Sequence, residues 1–77
     1  MQKIISGETP FQIDQSHSFS IAYTENGYTL CYSADGVDYT AWEEPTPGSE
    51  NMVVNDIAKG MYFYLSGNTD SAVTITY

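Results

Sequence analysis

Apolar and polar positions along the chain alternate in short runs. Tyr28, Leu30 and Tyr32 alternate with Thr29, Cys31 and Ser33. Phe19, Ile21 and Tyr23 alternate with Ser18, Ser20 and Ala22, and Val73, Ile75 and Tyr77 with Thr74 and Thr76. A period of two puts successive side chains on opposite faces of an extended chain, so these runs predict half-buried β-strands. Shorter extended runs over 3–6, 10–14, 37–42 and 52–55 fit the same reading, and the most strand-like stretch is Met61 to Ser66, MYFYLS. No segment carries an apolar stripe of helical period; residues 57–59 suggest a single turn before Gly60.

Turn chemistry separates the runs. Asn26-Gly27 is a strong two-residue hairpin signal between 17–23 and 28–33. Ala34-Asp35-Gly36 supplies another: Asp accepts hydrogen bonds from nearby backbone N–H groups, and Gly takes the positive φ that other residues resist. Together these predict a three-stranded antiparallel meander over 17–23, 28–33 and 37–42. Glu43 to Glu50, EEPTPGSE, reads as an exposed loop, and Gly67 to Asp70 as a turn. Strands recurring every 8–12 residues or so with turns between them predict an all-β chain. The expected fold is a small antiparallel β-sandwich, jelly-roll or immunoglobulin-like, as a single domain over residues 1–77.

The chain has 77 residues and one cysteine. A domain this small buries only about 60% of its unfolded surface. An intrachain disulfide is not available to compensate, so oligomerisation is a natural supplement. Cys31, mid-strand, reads as a small buried hydrophobe.

Ten acidic residues against two basic ones give a net charge of −8. Binding the phosphate backbone of nucleic acid requires Lys or Arg, so nucleic acid is not expected as a partner. An anionic membrane surface is disfavoured for the same reason, and no apolar run is long enough to span a bilayer. The N-terminal MQKIISGETP lacks the apolar core of a secretion signal, so synthesis in the cytosol without export is expected.

The chain is poor in catalytic constellations. Asp35, Asp38, Glu43, Glu44, Glu50, Asp56 and Asp70 fall in predicted turns and loops, where solvated acids are the norm. A glycosidase needs two carboxylates facing each other across a cleft. Asp35-Gly36-Val37-Asp38 lacks the ligand spacing of a calcium loop. His17 stands alone, whereas zinc needs several ligands. No phosphate loop or nucleophile elbow is present. No catalytic residue, metal or cofactor is therefore expected.

Aromatic residues are the one enriched class, with seven tyrosines, three phenylalanines and one tryptophan. Phe19, Phe63 and Leu65 read as core. In MYFYL, however, Met61, Phe63 and Leu65 occupy one face, leaving Tyr62 and Tyr64 on the other. A strand apolar on both faces is usually covered on both. The second cover could be a partner subunit or a ligand, or an N-terminal strand or the EEPTPGSE loop folded over the two tyrosines. Tyr62, Tyr64, Tyr39 and Trp42 are the candidate interaction residues.

Tyr32-Ser33-Ala34-Asp35-Gly36-Val37-Asp38-Tyr39 resembles the Y-S-x-D-G-x-x-W hairpin of discoidin (coagulation factor 5/8 C-type) jelly-roll domains, with Tyr39 in the tryptophan position. Lys59 to Leu65, KGMYFYL, resembles the later G-x-Y-x-R-L strand of that family. These segments cover under half of the chain, which is about half the family's usual length. The chain also lacks the family's cysteine pair and ligand-binding spikes, so the lectin function does not follow. More broadly, a short acidic β-protein carrying GYTLCYSADGVDYTAW and ending GMYFYLSGNTDSAVTITY resembles small virion proteins of tailed bacteriophages. Those are capsid decoration, head-fibre or tail-associated β-sandwiches.

That resemblance implies a non-enzymatic structural protein, assembled in the host cytoplasm and displayed on the capsid exterior. Its partners would be other virion subunits and further copies of itself. An acidic protein suits the exterior, because one lining a DNA-filled interior would be repelled. The alternative is a small carbohydrate-binding module that stacks Trp42 and Tyr39 on sugar rings. A third reading, an inhibitor or immunity-type protein, would set the acidic surface against a basic partner.

Overall fold

The computed structural model describes residues 1–22, 28–43, 51–69 and 72–77. It is all-β, with eight strands in the described residues: β1 (Gln2–Ile5), β2 (Phe11–Ile13), β3 (Phe19–Ile21), β4 (Thr29–Ser33), β5 (Thr40–Glu43), β6 (Met52–Val54), β7 (Met61–Ser66) and β8 (Val73–Thr76). They form two four-stranded sheets, in the orders β1-β8-β3-β6 and β2-β7-β4-β5. Every pairing is antiparallel.

This order has a simple origin. β4 pairs with β5, β3 with β6, β2 with β7 and β1 with β8. The chain is thus one long antiparallel ribbon, doubled back at the β4–β5 loop. Rolling that ribbon up adds the β3–β8 and β4–β7 pairs and closes the two sheets. The result is a jelly roll, not the strand order of an immunoglobulin domain. The stretch around Asp35-Gly36 is the tip of the roll.

The predicted meander is therefore corrected. β4 and β5 do form a hairpin, but β3 lies in the other sheet, between β8 and β6. The local turn signal loses to long-range pairing, since β7 offers β4 five register partners and β3 is only three residues long. The Asn26-Gly27 signal lies outside the described residues, as does most of the EEPTPGSE loop. The predicted strand over 37–42 is also shortened. It starts at Thr40, and Val37 is exposed in the loop before it.

Alternation decides the core. Phe11, Ile13, Leu30, Phe63 and Leu65 of one sheet face Ile5, Phe19, Ile21, Val54, Val73 and Ile75 of the other. Phe63, Ile13, Ile21, Leu30, Leu65 and Ile75 are completely buried. Full burial of one such side chain stabilises by about 1.5–3 kcal/mol. Phe19 of β3 meets Phe63 of β7 at 4.7 Å between ring centroids and Phe11 of β2 at 5.7 Å, so three rings clamp the sheets together. The loops are tied as well. His17 Nδ1 donates to the Ile57 carbonyl at 2.8 Å, and Ile57 N–H donates back to the His17 carbonyl at 3.0 Å. His17 is a latch between two connections. Buried Asn68 donates from Nδ2 to the Gly7 carbonyl at 2.9 Å, holding the start of the β7–β8 turn to the β1–β2 loop.

Candidate functional site

The β4–β5 loop is built by two side chains. Ser33 ends β4 and is buried, and its Oγ accepts from the N–H groups of Asp35 (3.2 Å) and Gly36 (2.9 Å). The same hydroxyl donates to Asp35 Oδ1 at 2.8 Å. Asp35 Oδ1 in turn accepts from the N–H groups of Val37 (2.9 Å) and Asp38 (3.2 Å). These bonds favour the ionised carboxylate, that from Val37 most, and bring its pKa down to about 2. Gly36 has φ +79°, as its turn requires.

The loop so formed lies back over the outer face of the β2-β7-β4-β5 sheet. Register places Tyr62 beside Ser33, and Tyr64 beside Cys31, on that face. A Cβ added at Gly36 would stand 3.4 Å from three atoms of the Tyr62 ring, so the ring packs directly on the Gly36 backbone. Tyr39 sets its ring edge-on to Tyr64, with centroids 4.9 Å apart. The Tyr39 hydroxyl is pushed up from its ordinary pKa by burial, and further by the neighbouring Tyr62 and Asp35 charges. Tyr64 is pushed up chiefly by its hydrogen bond with Cys31. Cys31 is buried beneath this layer, with its Sγ 3.7 Å from the Thr29 carbonyl.

Met61 to Leu65 is thus covered on both faces, and the cover over Tyr62 and Tyr64 comes from within the chain. Gly36 and Tyr39 of the hairpin loop pack on these rings, while all but Glu43 of the EEPTPGSE segment lies outside the described residues. All three tyrosines are half-buried.

Trp42 does not join them. One step along β4, from Cys31 to Leu30, matches two along β5, from Ala41 to Glu43, so β5 bulges at Trp42. Its ring turns to the opposite, core side and packs edge-on against Tyr32 at 5.0 Å and near Phe63 at 6.3 Å. The pair expected to stack on a sugar, Trp42 and Tyr39, is split between the two faces of the sheet.

The other sheet is organised differently. Two rows of residues share the outer face of β1-β8-β3-β6. Ile4 lies beside Thr74 in one, and Gln2, Thr76, Ser20 and Val53 run across all four strands in the other. Ala22 N–H bonds to the Thr74 carbonyl at 2.9 Å and extends the first row. No described element packs over these rows, and Ile4 and Val53 are 64% and 60% exposed. None of the side chains in them is charged. The sequence carried the signal in the alternation of VTIT, with half-buried Thr74 and exposed Thr76, but the neighbours β1, β3 and β6 could not be known without the pairing.

Among the described residues, the acids Glu8, Asp14, Asp35, Asp38 and Asp56 sit in loops, and Glu43 ends β5. No group of three or more His, Cys, Asp or Glu side chains among them could hold a metal ion. Glu44, Glu50 and Asp70 lie outside the described residues. No described helix is long and apolar enough to cross a membrane. Compared with known family models, curated proteins and solved structures, the chain matches none.

Proposed function

We propose that this chain is a non-enzymatic structural protein that binds other protein subunits, a small virion component of decoration or head-fibre type on the capsid exterior. The observation that carries the reading is the division of charge. Five of the six described acids stand in loops and the sixth, Glu43, ends edge strand β5, while the rows on the outer face of β1-β8-β3-β6 carry none. Such a molecule repels nucleic acid and other polyanions at its rim and keeps that face for neutral protein surfaces. Capsid and lectin domains both use jelly rolls, so the fold alone does not choose between them. The split of Trp42 from Tyr39 weighs against the sugar-binding reading. The resemblance to small phage virion proteins points the same way as the charge.

The test is to raise an antibody to the purified protein and apply it to intact particles from the strain that encodes the chain. Labelling of unopened heads is the expected result. Labelling only after the heads are broken open, or protein found solely in the particle-free lysate, would refute the exterior placement.

A further inference from the structure

We infer that Asp35-Gly36 is a latent modification site: with the β4–β5 loop open it converts to isoaspartate, and in the folded loop Ser33 and Tyr62 hold that conversion off. This holds whatever the protein binds.

Asp35-Gly36 is the one Asp-Gly pair in the chain. The reaction needs no enzyme, metal or oxidant. The Gly36 nitrogen attacks Asp35 Cγ, so that a C–N bond forms and a Cγ–O bond breaks. The departing oxygen leaves as water, carrying the amide proton and the proton of the carboxylic acid. Water then opens the succinimide ring. Opening at Cγ restores aspartate. Opening at the main-chain carbonyl carbon leaves the chain running through Cβ and Cγ, as isoaspartate. One water is lost and one regained, with no change of oxidation state. Glycine favours the attack because no Cβ crowds its nitrogen.

The folded loop opposes each requirement. The nitrogen must give up its proton, but Gly36 N–H donates to Ser33 Oγ at 2.9 Å, and Ser33 is only 2% exposed. The carboxyl must be protonated to release water. Instead its Oδ1 accepts from the Ser33 hydroxyl at 2.8 Å and from the N–H groups of Val37 and Asp38 at 2.9 and 3.2 Å, which favour the ionised form. Ring closure must also swing the carboxyl off these donors and turn the Gly36 backbone, on which the Tyr62 ring packs. These restraints lapse together when the loop opens, so conversion in the native protein follows the open population.

Refolding does not undo the product. Isoaspartate adds a main-chain atom between Ser33 and Gly36, so the Ser33 hydroxyl no longer meets both N–H groups at their old spacing. The loop that packs on Tyr62 does not re-form. A chain left open long enough is thereby marked, and its loop stays open.

The whole chain, aged at neutral pH either native or in concentrated urea, tests this. Peptide mapping reads residue 35, because isoaspartate resists an aspartate-specific endoprotease and gives its own fragments on electron-transfer dissociation. The chain in urea should accumulate isoaspartate at this position, and the native chain at least about a hundredfold more slowly. Ser33→Ala should speed the native conversion by about 5–30-fold and leave the rate in urea unchanged. Tyr62→Ala should speed it several-fold, and it lies on the outer face, so it remains a readout if the Ser33 variant misfolds. Purified chain carrying the isoaspartate should melt below the parent. Equal rates in the native state and in urea overturn the inference. So does an absence of conversion in urea, a folded Ser33→Ala or Tyr62→Ala variant that ages like the parent, or an isoaspartyl chain with the parent's melting temperature.

Discussion

The two outer faces of this jelly roll treat the same problem in opposite ways. On the β2-β7-β4-β5 sheet the exposed side would have been aromatic, and the chain covers it with its own hairpin loop. On the β1-β8-β3-β6 sheet the exposed side is mostly threonine, serine and glutamine, and no described element covers it. The difference shows what sets the need for a cover. Tyr62 and Tyr64 in water would leave large apolar ring surfaces exposed, whereas threonine hydroxyls are well solvated. The covered face needs a specific loop, and that loop needs Ser33, Asp35 and Gly36. The bare face needs little beyond β-branched residues that suit a pleated surface. Substitutions should therefore be costly on the first and cheap on the second.

The largest effect is expected where both faces depend on a shared clamp. Phe63→Ala should destabilise the fold by about 3–5 kcal/mol, because it opens a cavity against Phe11, Phe19 and Trp42. Urea unfolding measures it, and a loss below about 1 kcal/mol would mean the sheets are held some other way.

Next comes the loop. Gly36→Val should cost about 2 kcal/mol, from the left-handed φ and from the Tyr62 ring that the new side chain meets. Pairing Gly36→Ala with Tyr62→Ala separates these causes. A coupling of about 0.5 kcal/mol or more is expected if the loop rests on the ring, and strict additivity would show that it does not.

Ser33→Ala should cost about 1–2 kcal/mol, since the N–H groups of Asp35 and Gly36 lose their shared acceptor. Thermal melts that coincide with the parent's would discount the hydroxyl's part in forming the loop.

A smaller effect follows from Asp35. Its carboxyl titrates near 2 in the folded protein and at 3.8 without these bonds. A lowered folded-state value means that the ionised group stabilises the fold. That contribution is complete above pH 4 or so, and is lost as pH falls toward about 2. Asp35→Asn should therefore show a shallower loss of Tm between those limits than the parent. Parallel Tm–pH curves would contradict the assignment.

The smallest effect belongs to the bare face. Ile4→Thr should change stability by less than about 0.5 kcal/mol, since Ile4 is largely exposed. A larger loss would mean that something in the monomer already covers Ile4.

The alternation and the turn residues by themselves determined most of the secondary structure. Thr29–Ser33, Met61–Ser66 and Val73–Thr76 are strands because a period of two admits no helical face. Asp35-Gly36 is a turn because its chemistry is local: an acceptor and a residue free of Cβ, acting within a few positions. The core positions Phe19, Phe63 and Leu65 followed from the same alternation. Only the tertiary structure decided which strands are neighbours. β3 is followed in sequence by the Asn26-Gly27 turn signal toward β4 yet joins β6 and β8, because ladder bonds and buried area reward long-range partners that no local pattern records. Trp42, by contrast, obeys plain alternation: two residues on from Thr40, which pairs with Tyr32, it faces the core, opposite Tyr39. The bulge acts only beyond it, where Glu43 comes to pair with Leu30. The cover over Tyr62 and Tyr64 was legible as a need but not as an identity. Hydrophobicity tells that a ring must be buried, and only the folded path of the chain brings Gly36 and Tyr39 above it.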